Sequence, residues 1–486
     1  MKASNPLPNR ARCRRGLRWA LVWLLAAASP VAMAQPDSSR GASGGPASRA
    51  VADAVGAERP HVATLANGLT VIVQVDRRAP TAVQMLWLRV GAVDETDREA
   101  GVAHVLEHMM FKGTPTLAEG EYSRRIAALG GRDNAFTSRD ATAYHVQVPA
   151  AALREAMRLE AERFARNAWS AEALQRELAV IREERRQRIE EEPQAQFYEQ
   201  FMATALQVHP YRRPIIGWMS HLESLQADTV RAFYQRWYAP NNAALVVVGD
   251  VQPEQVLRWA EESFGALPAR VLPARLPQAE PEQRGPRRLV WRDARVRQPS
   301  VLLGWRVPQL AQPQDEDEAA RDALALALLA GVLDGHSAAR LERALVRRPE
   351  AQRLADGVAA SYGLAGRGPQ LFLVSATLRP GVDPQRVEQA LREEIARVAR
   401  DGVSEAELRR VQNQWAAAEV FKLDSPFALA RELGQQWVLG WPPDAQARLL
   451  ARMQAIGVAD VQRVAQRYFG DAQLTVGWLL PQEGQP

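Results

Sequence analysis

A helix that closes on arginine and two aromatic residues, and then feeds an apolar strand, occurs twice in this chain. The first copy runs from Leu225 through Val230 and Phe233 to Arg236-Trp237-Tyr238, with the strand Leu245–Gly249 after a turn. The second runs from Ile456 through Val461 and Val464 to Arg467-Tyr468-Phe469, with the strand Leu474–Trp478 after a turn. Repetition at so long a period marks a duplicated unit, so one architecture has to serve both halves. Between the halves the chain is interrupted by Pro268, Pro273, Pro277, Pro281 and Pro286. Proline lacks the amide hydrogen that a helix or a central strand needs, so residues 268–286 are expected to form an extended surface linker.

Each half mixes strands with amphipathic helices. Gly68–Val75 and Val83–Val90 have strand composition and precede the first long helix, and Ala143–Val148 follows it. Strands that group, rather than alternate strictly with helices, favour an α+β fold over a doubly wound parallel sheet. Composition excludes several classes. With 47% hydrophobic and 24% charged residues, the chain is neither disordered throughout nor collagen-like. After residue 34 no apolar run is long enough for a membrane span, which excludes a channel or transporter and leaves no span once the leader is cleaved.

The formal charge of +5 misleads. Residues 1–34 hold six of the 61 bases and none of the 56 acids, so the remainder carries 55 bases and 56 acids. That balance gives no electrostatic footprint for nucleic acid. The basic stretch ends at Arg18, the apolar run Trp19–Ala28 follows, and Ala32-Met33-Ala34 supplies the small residues of a cleavage site. This is the pattern of a signal peptide over 1–34, and it predicts export to a bacterial periplasm. Arg14-Arg15 leaves the route, general or twin-arginine, open. The only cysteine, Cys13, precedes the apolar run, so the mature chain would have no thiol, disulfide or cysteine metal site. Residues 35–57 are small and polar and read as a flexible leader.

Chemistry concentrates at Gly101–Thr114, which contains His104-Val-Leu-Glu107-His108. On a helix His104 and His108 lie one turn apart on one face, with Glu107 beside them. Two imidazoles so placed can share a Zn²⁺ while the carboxylate takes a proton from the attacking water. With 7 histidines in the chain, this arrangement arises by chance in about one sequence in a hundred. His61, His145, His209, His221 and His336 show no such arrangement and read as ordinary surface or core residues. A catalytic zinc also needs a third protein ligand from another element. Glu177, Glu183 and Glu184 lie on one charged segment, with Glu177 and Glu184 on a common stripe and Glu183 about 100° away. Spacing alone does not choose between Glu177 and Glu184, and a solvated charged helix is the plainer reading of the segment.

The motif and its surroundings resemble the pitrilysin-like zinc peptidases, or inverzincins, whose inverted signature is His-x-x-Glu-His. The likeness extends through Gly91-Ala-Val-Asp-Glu95, Gly130 to Tyr144, His209 to Trp218 and Tyr238-Ala-Pro-Asn-Asn242, in the family's order. It is specific over about residues 60–250 and looser beyond. In that family the third ligand is a glutamate about 76 residues past the second histidine, within a Glu-x(6)-Glu pair. Counted from His108, that glutamate is Glu184 and its pair is Glu177. The resemblance therefore implies one Zn²⁺ per chain on His104, His108 and Glu184, with Glu107 as general base and Glu177 as the supporting acid behind the ligands.

It also implies two homologous α+β domains, each a mainly antiparallel sheet packed with helices, as in mitochondrial processing peptidase subunits. The first, 58–267, would be catalytic. The second, 287–486, would be a degenerate copy, because Ala323–Leu333 stands where the motif helix should be and has no histidine or acid. Asn134, Ala135 and Phe136 would form an edge strand that binds peptide substrate by backbone pairing, although Asn134 after Gly-Gly also reads as an ordinary turn residue. Many family peptidases hold substrate with an Arg/Tyr pair from a non-catalytic domain. Here Arg340 is available, but Asp356 stands where the tyrosine is expected. Relatives of this length often work as pairs of chains, so the resemblance allows a homodimer or a heterodimer with a paralogous non-catalytic subunit, in which a partner could supply the missing group. The activity implied is an exported zinc metalloendopeptidase acting on peptides or unfolded segments. The alternative is a peptide-binding or assembly subunit without turnover.

Overall fold

The computed structural model describes residues 59–275 and 277–482, so the expectations for 1–34 and 35–57, Cys13 included, lie outside the described residues. The first half builds a six-stranded sheet from β1 (His61–Thr64), β2 (Thr70–Val75), β3 (Thr81–Leu88), β4 (Arg132–Thr137), β5 (Thr142–Pro149) and β6 (Ala243–Gly249). Their spatial order is β1-β2-β6-β3-β5-β4. All neighbours are antiparallel except β2 and β6. Every residue of β6 is buried, as a central strand covered on both faces requires.

The second half builds β7 (Arg287–Asp293), β8 (Ser300–Val307), β9 (Ala355–Tyr362), β10 (Gln370–Leu378) and β11 (Leu474–Pro481) in the order β7-β11-β8-β10-β9. The parallel pair is β7 and β11, the counterparts of β2 and β6. Strand for strand, β7, β8, β9, β10 and β11 repeat β2, β3, β4, β5 and β6. The duplication read from the two Arg-aromatic-aromatic helices is thus present in the hydrogen-bonded topology. Each half is α+β with a mainly antiparallel sheet, as expected.

One face of each sheet is covered by helices of its own half. The first core joins Leu86, Val105, Leu106, Tyr144 and Phe233; the second joins Trp305, Leu328, Phe372 and Val464. The opposite faces are covered by exchange. Helix Pro426–Leu439 of the second half puts Ala430, Leu433 and Val438 against Val83, Met85, Trp87 and Val246 of the first sheet. Helix Pro193–Ala205 of the first half puts Phe197, Phe201 and Met202 against Leu302, Leu373 and Leu479 of the second. Both helices start cleanly: Pro193 and Pro426 occupy the first turn, and Ser425 Oγ accepts the Ala428 N–H at 3.2 Å. The exchange needs bare backbone at the contact. A Cβ on Gly477 would lie 2.6 Å from Phe197 Cζ, and one on Gly304 2.9 Å from Phe201 Cζ. Burying a side chain the size of phenylalanine contributes about 1.5–3 kcal/mol, so the two halves hold each other strongly.

The described residues of 268–286 form no helix or strand. No helix among the described residues is long and apolar enough to cross a membrane.

Candidate metal centre

The motif helix spans Val102–Met109. Its start is fixed by a buried carboxylate: Glu95 Oε2 accepts the Gly101 N–H at 3.0 Å and Oε1 the Ala103 N–H at 2.9 Å. Burial pushes the Glu95 carboxyl up to about 8 against the pull of those two amides. Gly101 adopts φ +99°, and a Cβ there would lie 2.7 Å from Ile216 O. Only glycine allows the helix to begin at this depth against the segment at Gly217.

From this helix, Val102, Val105, Leu106 and Met109 enter the core, which turns His104 and His108 together toward helix Ala171–Arg185. That helix is capped by Ser170 Oγ, which accepts the Ala173 N–H at 3.1 Å, and it runs on into a π-helical turn, Arg186–Glu190. Glu184 sits at the junction. Wide turns of this kind are frequent at functional sites.

His104 Nε2 lies 3.9 Å and His108 Nε2 3.7 Å from Glu184 Oε2, and the three donor atoms fall within 4.8 Å of one another. These separations are too long for hydrogen bonds. They approach the roughly 3.4 Å between donors of a tetrahedral zinc with bonds of about 2.0–2.1 Å. Two imidazole nitrogens and a carboxylate oxygen are also the donor types that zinc takes, so the residues fit the ion. Burial, reinforced by His108 and Arg188, holds the His104 imidazole down to about 3, which keeps it neutral with a lone pair free.

Behind the donors, His108 Nδ1 pairs with Glu177 Oε1 at 2.8 Å, and Lys112 Nζ meets Glu177 Oε2 at 2.5 Å. Burial works against charge on His108, but the Glu177 bond and the nearby carboxylates outweigh it and raise its pKa. Burial likewise opposes charge on Glu177, and His108 and Lys112 overcome it, so its carboxyl is lowered. Glu184 has its second oxygen, Oε1, 2.7 Å from Arg188 Nη1. Glu183 faces outward and pairs with Arg186 at 3.1 Å.

Glu107 is 9% exposed. Burial raises its carboxyl, and the bond from Thr137 partly offsets this. Thr137 Oγ1 donates to Glu107 Oε2 at 2.5 Å. Thr137 ends β4, the edge of the first sheet, which among the described residues pairs only with β5. Side chains alternate along this strand: Ala135 and Thr137 face the core of the motif helix, whereas Phe136 meets the Trp87 ring edge-on at 5.4 Å. Asn134 is exposed, and its Oδ1 accepts the Ala135 N–H at 2.8 Å.

The structure therefore brings His104, His108 and Glu184 together, with Glu177 bonded to His108 and Glu107 near enough to interact electrostatically with His108 and Glu184, and sets Asn134, Ala135 and Phe136 on the adjoining edge. It also draws in Lys112, Thr137 and Arg188, which the sequence reading passed over. The only signal for Thr137 was its position two residues after Ala135 on the same strand face. His209 and His336 serve local turns, each accepting a backbone N–H through Nδ1. Arg340 is held within the second half by Glu407, with contacts of 3.1 and 3.0 Å, and by the Gly402 carbonyl. Asp356 accepts from Gln298 at 3.2 Å. The counterpart of the motif helix, Glu318–Asp334, carries acids outside Ala323–Leu333. Its Asp322 is fully buried and accepts from Arg463 and Tyr468.

Two repeated sheets, an inverted His-x-x-Glu-His helix and a convergent glutamate define the pitrilysin-like class of two-domain proteins. The chain belongs to peptidase family M16: residues 70–218 match the family described as insulinase (peptidase family M16), and 224–415 match the peptidase M16 inactive domain. Among its relatives is the zinc protease PqqE of Helicobacter pylori, 29% identical over 424 residues that cover 86% of this chain and 92% of that protein. Another is the mitochondrial-processing peptidase subunit beta of Lentinula edodes, 26% identical over 430 residues, 85% of this chain and 88% of that one. A crystal structure of a protease from Helicobacter pylori superposes with a TM-score of 0.80 at 27% identity, covering 87% of this chain and 99% of the other.

Proposed function

We propose that this chain is an exported zinc-dependent metalloendopeptidase that hydrolyses peptides or unfolded polypeptide segments. The observation that carries the reading is the convergence of His104 Nε2, His108 Nε2 and Glu184 Oε2 with the buried Glu107 alongside. These three residues would hold one Zn²⁺ per chain. When bound, that ion supplies Lewis acidity, polarising the scissile carbonyl and acidifying water.

The rest is done by the protein. Glu107 takes the proton of the attacking water and returns it to the leaving amine, a role suited to a carboxylate whose pKa burial has raised. Thr137 aims that carboxylate through its 2.5 Å bond. Glu177 holds the His108 ring by Nδ1, so that Nε2 presents its lone pair, and Lys112 keeps Glu177 charged. The free edge of β4 at Asn134, Ala135 and Phe136 pairs with the substrate backbone and so selects extended peptides. Residues 58–267 form the catalytic domain, 268–286 the linker and 287–486 the non-catalytic domain. The signal pattern of residues 1–34 sends the chain to the periplasm.

A second reading, a binding or assembly subunit without turnover, is favoured by two observations. Arg340 is engaged by Glu407, and Asp356 occupies the place expected of the tyrosine. A partner, either a second copy or a paralogous non-catalytic subunit, would then supply the missing contact, in keeping with the subunit named among the relatives. Elemental analysis combined with cleavage of a quenched peptide library, before and after chelation, separates the two. Zinc with zinc-dependent cleavage is expected, whereas zinc without cleavage, alone and with the paralogue, would leave the second reading.

A further inference from the structure

From the second half, Arg367 reaches the turns that flank the site. Arg367 lies in the turn between β9 and β10, flanked by Gly366 and Gly368. Its guanidinium clasps Asp94 bidentately, Nη1 to Oδ2 at 2.7 Å and Nη2 to Oδ1 at 2.6 Å, and Nη1 also donates to the Asp140 carbonyl at 2.8 Å. Its own N–H donates to Asp140 Oδ2 at 3.1 Å. The Asp94 side chain is 3% exposed and that of Arg367 14%. The tip enters only because its neighbours lack side chains: a Cβ on Gly366 would lie 3.0 Å from Tyr211 Oη, and one on Gly368 2.9 Å from Tyr211 Cε2.

Both partners lead to the centre. Asp140 belongs to the turn between β4 and β5, three residues past Thr137, whose hydroxyl holds Glu107. Asp94 closes the turn that starts at Gly91, its Oδ2 accepting the Gly91 N–H at 2.9 Å, and the next residue, Glu95, caps the motif helix. The two turns dock on each other through Ala92 N to Ser138 O at 3.1 Å and Val93 N to Arg139 O at 2.8 Å. Arg367 thus spans the junction between the strand that would receive substrate and the helix that presents His104, Glu107 and His108.

We propose that Arg367 is a positioning residue through which the second half fixes β4 in register with the motif helix. The inference rests on the peptidase reading above and gives the non-catalytic half a task at the site. A fixed junction matters because small displacements of reacting groups cost large factors in rate. Bidentate pairing needs a planar fork, so lysine retains the charge and only part of the geometry.

The test compares full-length wild type, Arg367→Ala and Arg367→Lys by amide hydrogen exchange and by steady-state cleavage of a quenched peptide. In Arg367→Ala, protection at residues 134–141 should fall about tenfold or more while β8 and β10 keep theirs. KM should rise about fivefold or more, with Arg367→Lys intermediate in both. Unchanged protection at 134–141 overturns the proposal. So does a uniform loss across both halves with KM unchanged, which would be a stability effect alone. If Arg367→Ala does not fold, Arg367→Lys and Asp94→Asn carry the same comparison. Should the wild type cleave nothing, the peptidase reading fails while the exchange data still decide the latch.

Discussion

Glu177, Glu183 and Glu184 lie within two turns of one helix, yet glutamine should affect each differently. Glu184→Gln replaces a charged donor by a weaker neutral one on the side chain that faces the Nε2 atoms of both imidazoles. It also leaves Arg188 without its 2.7 Å partner. Zinc affinity should fall by more than about 100-fold. Glu177→Gln keeps an oxygen able to accept from His108 Nδ1, but the charge between His108 and Lys112 is lost. Losses at this remove from a metal run at about 10–100-fold, equivalent to about 1.4–2.7 kcal/mol. Glu183 has a side chain 53% exposed and pairs with Arg186 at 3.1 Å. Surface pairs of this kind contribute about 0.5 kcal/mol or less, and Glu183 does not touch the cluster, so Glu183→Gln should match wild type in metal binding. Competition titration of the apo-proteins against a chromophoric zinc chelator reads all three. Glu183→Gln as the most damaging change, or Glu177→Gln losing more than Glu184→Gln, would refute the assignment of ligand and support.

Two further expectations concern the frame. Arg340 holds the Glu407 carboxyl down at about 2, below the roughly 4.3 of an unfolded glutamate. Its stabilisation is therefore complete above pH ~4.3 and is lost as pH falls toward 2, amounting to about 1–3 kcal/mol after allowance for partial exposure. Urea midpoints of wild type and Glu407→Gln should differ most at pH 6, differ by about half as much at pH 3, and converge only as pH falls through about 2; a gap independent of pH would contradict the pairing. At the exchanged helix, a Cβ on Gly434 would fall against the Trp87 indole, 2.5 Å from Cδ1. Gly434→Ala, although it raises helix propensity, should destabilise by about 1–3 kcal/mol through overpacking, and a higher melting temperature would show that the contact yields.

The motif was legible because its chemistry is contiguous: His104, Glu107 and His108 need only one helical turn to meet. Glu184 was harder, because helical phase places it on the same stripe as Glu177, and only the family resemblance separated them. Lys112, Thr137 and Arg188 joined the site through tertiary packing, which periodicity does not encode. The duplication was visible in its closing helices, and the sheet order repeated it. The exchange of Pro193–Ala205 and Pro426–Leu439 was not visible. Helix Pro193–Ala205 buries Ala195, Phe197, Glu199, Phe201 and Met202, positions spread around much of its circumference. A helix enclosed by both halves has no single apolar stripe to read, and nothing local says which sheet it covers. Asp94 and Arg367 are 273 residues apart in sequence and were equally silent.

The most direct measurement is zinc content and peptide turnover of wild type beside Glu107→Gln, on the same preparations. The glutamine keeps size and hydrogen-bonding capacity, and Thr137 still has an oxygen to bond, so both proteins should carry one zinc per chain. Turnover in the variant should fall by about 10²-fold or more, because an amide cannot accept the proton. Near-normal hydrolysis by Glu107→Gln, or a wild-type protein that takes up no zinc, would contradict the account.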